Sequence, residues 1–97
     1  MEHNPTGFAW YKEEQYEDLL ITFSEDRTNL PDSYGLWLKE AEMEFQRLRD
    51  SGVPVYKVEV DLYDFLSWCR ANGYDIKHNT RHLFVAHKLR SLLEHLE

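Results

Sequence analysis

One stretch constrains this chain more than any other: Val53 to Val60 is the clearest strand-like alternation in a sequence otherwise dominated by helical periods. Tyr56, Val58 and Val60 fall on one side and Val55, Lys57 and Glu59 on the other, the two-residue repeat of a half-buried strand. A lone strand is untenable, because its N–H and C=O groups must find partners. Three are available: an extended Gly7 to Tyr11, the ambiguous Leu19 to Phe23, or the same strand of a second copy, antiparallel about a two-fold axis. A dimer register centred on Val58 sets Lys57 of one copy opposite Glu59 of the other. Pro54, Lys57 and Glu59 are equally the residues that guard an edge strand against such pairing, so the homodimer and the N-terminal partner stand level as expectations.

Four helices are expected around that strand. Tyr16, Leu19, Leu20 and Phe23 make an amphipathic stripe over about Lys12 to Ser24, although Leu19, Ile21 and Phe23 also alternate and leave a short strand open there. Glu25 to Pro31 reads as a loop, since Leu30 before Pro31 is pushed out of the helical region. The longest helix runs from about Ser33 to Asp50, capped by Asp32 or Ser33, with Tyr34, Trp37, Leu38, Ala41, Phe45 and Leu48 inward and Lys39, Glu40, Glu42 and Glu44 on the wet face. Asp61 caps a third helix that buries Leu62, Phe65, Leu66 and Cys69 and stops at Asn72 and Gly73. After a connection over Tyr74 to Asn79, the last helix starts at about Asn79 or Thr80, with Val85, Leu89, Leu92 and Leu96 on one seam and Phe84 and Leu93 beside it. The expected fold class is α+β: one small, mostly helical domain over residues 1–97, in the order helix, helix, strand, helix, helix. Residues 1–7 are expected to be a loose tail, and Leu96 and Glu97 to derive from a vector.

Leu, Ile, Val and Phe make up 25 of 97 residues, enough for a core despite the high charge. The single cysteine, Cys69, has no partner for a disulfide within the chain, and no apolar run approaches the length of a membrane span. A soluble cytoplasmic protein is expected, with no membrane partner. Net charge is −7 and unevenly spread, Met1 to Asp64 carrying 15 acids against 6 bases. Such a chain is repelled by phosphate backbones and accepts a basic partner surface more readily.

Sequence motifs for catalysis are missing. Cys69 lies on a buried stripe, where a thiol is inert, and no Gly-x-Ser-x-Gly elbow or phosphate-cradling glycine loop exists. His78 and His82 stand four apart, a spacing that can chelate zinc. His87 is turned away from them and Cys69 belongs to another helix, so no metal or other cofactor is expected. The last helix bears Arg81, His82 and Lys88, which supply the contacts in an alternative reading as a nucleic-acid-binding module. Phe8, Trp10 and Tyr11 lie in a segment with no amphipathic pattern and are the expected contacts for a protein partner. The function these residues support is non-catalytic: a small interaction or accessory protein that binds another protein or itself.

Overall fold

The computed structural model describes residues 5–25 and 30–95. The order of elements is strand β1 (Thr6–Tyr11), a 3-10 turn (Glu13–Gln15), helix α1 (Tyr16–Thr22), helix α2 (Tyr34–Asp50), strand β2 (Val55–Val60), helix α3 (Leu62–Asn72) and helix α4 (His78–His95). This is an α+β arrangement in which β1 and β2 form a two-stranded parallel sheet.

The partner of β2 is therefore the N-terminal segment of the same chain. Thr6 pairs with Val55 and Tyr11 with Val60 in an unbroken register, and the Thr6 N–H donates to the Pro54 carbonyl at 2.9 Å. The expected order lacked this first strand, and Thr6 and Gly7, expected in a loose tail, belong to it. Met1 to Asn4, Asp26 to Asn29 of the expected loop, and Leu96 and Glu97 lie outside the described residues. Leu19 to Thr22 are helical, and Ile21 is 72% exposed, as a helix demands and an inward-facing strand residue would not allow.

Both faces of β1 are covered, which explains why it shows no alternation of polar and apolar residues. On one face Phe8 and Trp10 pack edge-on against Phe45 of α2, and Trp10 against Trp37 at 5.3 Å between ring centroids. On the other, Gly7 lies so close to α4 that a Cβ there would stand 2.7 Å from Val85 Cγ1 and 3.2 Å from Val58 Cγ2. Glycine is used at this position for close approach of backbone and helix.

Local signals account for the starts of α2 and α3 and for the end of α3. Ser33 Oγ accepts the Leu36 N–H at the start of α2. Asp61 accepts the Asp64 N–H at the start of α3, takes further bonds from Gln15 and Lys12, and so ties the turn before α1 to the end of β2. Those donors, the Asp64 N–H first, hold its carboxyl below the ordinary carboxylate range. Gly73 closes α3 in the left-handed conformation, φ 70°. The α4 seam differs from the expected one by part of a turn: Leu92 is exposed, Leu93 packs on the core, and Arg81 is buried one turn before Val85. Tyr56 is also more exposed than its strand face suggested. Among the described residues no helix is long and apolar enough to cross a membrane.

Candidate functional site

In a two-stranded sheet each strand has one edge that pairs and one that does not. Because Thr6 donates to Pro54, the backbone groups of Thr6, Phe8 and Trp10 point toward β2, while those of Gly7, Ala9 and Tyr11 point outward. The outward Tyr11 carbonyl accepts from the Tyr34 hydroxyl at 3.2 Å, which caps one end of the edge. Gly7 and Ala9 make no outward hydrogen bond among the described residues.

Above this open edge lies a cleft of about 470 Å³. Its floor is Gly7, Phe8, Ala9 and Tyr11, and its walls come from the two helices that sandwich the sheet. Trp37, Glu40, Ala41 and Glu44 line it from α2, and His78, Arg81, His82 and Val85 from α4. One wall thus carries two carboxylates one helical turn apart, and the other a guanidinium and two imidazoles. Glu44 is held as the carboxylate by its hydrogen bonds from Arg47, which keep its proton affinity below the ordinary range.

The α4 wall is a hydrogen-bonded relay. Arg81 is only 5% exposed; its Nη1 donates to the buried Tyr11 hydroxyl at 3.1 Å and its guanidinium lies 4.4 Å over the Phe23 ring. Its Nη2 stands 3.0 Å from His78 Nδ1, and His78 Nε2 stands 3.0 Å from His82 Nε2. Arginine can only donate, so Nδ1 of His78 must accept, which places the His78 proton on Nε2, where it is donated to His82. His82 then carries its own proton on Nδ1. Desolvation, His78 and Arg81 together push the His82 proton affinity down. For His78 Nε2 to ligate a metal its proton would have to move to Nδ1, against the Arg81 donor.

The expected contact residues are dispersed by this geometry. Phe8 and Trp10 are half-buried and packed on α2, and Tyr11, 7% exposed, is a core residue whose hydroxyl serves Arg81. Burial raises the Tyr11 proton affinity, against the pull of Arg81. Arg81, expected on a nucleic-acid-binding surface, is likewise withdrawn into the core, since it continues the Val85 and Leu89 stripe one turn back. His82 is exposed and Lys88 half-buried, its ammonium near the Phe84 ring, so the three residues form no common basic surface. Cys69 is 1% exposed, and burial pushes its thiol up. Sequence reasoning missed the cleft because Glu40 and Glu44 read as a wet helix face. The signal for the other wall was present: His78, Arg81, His82 and Val85 share one helical face.

No family model, curated protein or solved structure matches this chain.

Proposed function

We propose that this chain is a non-catalytic interaction protein, working in the cytoplasm, that receives an extended segment of a partner protein alongside β1. The observation that carries the reading is the open edge at Gly7 and Ala9, lying on the floor of a cleft roofed by helices on both sides. A strand added there would pair the outward N–H and C=O of both residues and continue the sheet between α2 and α4. Catalysis finds less support, because the single thiol, Cys69, is buried outside the cleft and its proton affinity is raised. The free thiol also supports the cytoplasmic setting.

An array of short extended peptides tests the reading, probed with the native protein and with Ala9→Pro. The Ala9 N–H points away from β2, so proline there leaves the β1–β2 ladder bonds in place and blocks only the added strand. Capture by the native chain with loss in Ala9→Pro is expected. An equal pattern of capture by both proteins, or none by either, contradicts strand addition.

A second reading, self-association, is favoured by the other edge. Val55, Lys57 and Glu59 point their backbone groups away from β1, so a two-fold antiparallel pair centred on Val58 would bring outward groups together with Lys57 opposite Glu59. Light scattering over a concentration series should then show a dimer that Lys57→Glu weakens. A monomer at high micromolar concentration ends this reading and leaves the first untouched.

A further inference from the structure

Resting on the strand-addition reading, we infer that the segment received by the cleft is basic, with Lys or Arg at two positions two residues apart and their side chains lying under α2. Gly7 directs its side-chain position toward α4 and the Tyr11 hydroxyl reaches Arg81 there, whereas Phe8 and Trp10 direct their rings toward α2. Residues of an added strand alternate in the same way, so every second one enters the space between Phe8 and the α2 wall of Trp37, Glu40 and Glu44. That wall presents Glu40 and Glu44, four residues apart and so about 6 Å along the helix axis. Alternate residues of a strand are about 6.5 Å apart, a matching interval. Two cations spaced i and i+2 can therefore each meet one carboxylate, the one at Glu44 taking the place of Arg47, whose exposed guanidinium holds it in the free chain.

The other side of β1 already shows the arrangement. Lys57, beside Phe8 in the β1–β2 register, lies on the same sheet face with its ammonium 4.0 Å from the Trp10 ring centroid and 5.1 Å from that of Phe45. A neighbouring strand's lysine on this face thus lies over the aromatic surface of β1 and α2, a favourable cation–π position. A strand on the open edge would place its own cations beside Phe8 and Trp37, which line the cleft, with the carboxylates of α2 above. The chain's net charge of −7 attracts such a segment from a distance as well. The intervening residue meets the α4 wall, where His82 lines the cleft, and a short hydroxyl side chain such as Thr or Ser suits it.

The experiment uses three blocked heptapeptides: alternating Thr and Lys, alternating Thr and Glu, and a block peptide with the composition of the first. Binding to the full chain is followed by tryptophan fluorescence at low salt, with Ala9→Pro and the double variant Glu40→Lys/Glu44→Lys alongside. The alternating Thr/Lys peptide should bind at least about tenfold more tightly than the other two and lose at least about tenfold on the charge-reversed variant. Ala9→Pro should abolish its binding. If the Thr/Glu peptide binds as well, and Ala9→Pro abolishes that binding, strand addition stands and the basic segment is overturned. If the block peptide equals the alternating one, simple charge attraction replaces the alternating geometry and the inference falls. If no peptide binds, or Ala9→Pro binds as the native chain does, both the inference and the reading beneath it fall.

Discussion

Gly7→Ala is the smallest change that probes how α4 is set on the sheet. The added Cβ would stand 2.7 Å from Val85 Cγ1, 3.2 Å from Val58 Cγ2 and 3.5 Å from Leu89 Cδ2. Carbon atoms pack best at about 3.5–4.0 Å, so the closest contact is about 1 Å too short. Val85 is 5% exposed and β-branched on a helix, where a single χ1 rotamer is strongly preferred, so it cannot simply turn away. Relief requires α4 to move off β1, which loosens its contact with the sheet. Overpacking of this kind costs about 1–3 kcal/mol, against about 0.5–1 kcal/mol regained by replacing glycine within a strand. The expected net loss is about 1–2 kcal/mol, a fall of about 5–15 °C in Tm for a chain of this size. Thermal and urea melts followed by circular dichroism measure it. Val85→Ala alone should cost about 1–3 kcal/mol through the space it leaves, but in the double variant the new methyl partly fills that space. The double variant should therefore be more stable than the two single losses predict, by about 1 kcal/mol. A Gly7→Ala protein as stable as the native one, with additive behaviour in the cycle, would refute the close approach of α4 to β1.

Three further outcomes follow from the structure. Trp37→Ala should cost about 3–5 kcal/mol in urea melts, because its ring meets Trp10, Tyr11, Tyr16 and Tyr34 at centroid distances of 5.1–6.2 Å; an unchanged melt contradicts its place in the core. Native protein should label at Cys69 with a thiol reagent only as fast as it opens, and labelling at the unfolded-chain rate at neutral pH contradicts its burial. The third concerns acid. Because the proton affinity of His82 is lowered in the fold, the unfolded chain binds more protons near pH 6, so its contribution to stability is full above about pH 6.5 and is lost as pH falls through the folded value. His82→Ala should flatten stability against pH over that interval, and an unaltered pH profile contradicts the relay.

The elements whose residues face one way were legible in the sequence, and those packed on two sides were not. In α2, Trp37 and Ala41 recur at helical spacing above a charged face, and α3 announces itself through the Asp61 cap, the Cys69 stripe and Gly73. The strand Val55 to Val60 alternates because its Lys57 and Glu59 side is partly wet, and its need for a partner followed from hydrogen bonding alone. The partner itself was harder to choose, because Phe8, Ala9, Trp10 and Tyr11 meet helices on both faces and so lack a period. Parallel pairing is also recorded nowhere in local sequence, since it depends on the whole path of α1 and α2 between the strands. Arg81 misled for a different reason: a buried guanidinium looks like a surface one until Tyr11 and Phe23, from two distant elements, and His78, one turn back on its own helix, are assembled around it. The cleft shares that origin, with the acids on one helix, the imidazoles on another and the edge on a third element.

Amide hydrogen exchange along β1, resolved residue by residue by NMR on the protein without peptide, tests the open edge most directly. The account predicts alternation: Phe8 and Trp10, whose N–H groups point into the ladder with β2, exchange slowly, while Gly7 and Ala9 exchange orders of magnitude faster. Equal, strong protection of all four amides would mean that the outer edge of β1 is already paired within the chain, and would contradict the account.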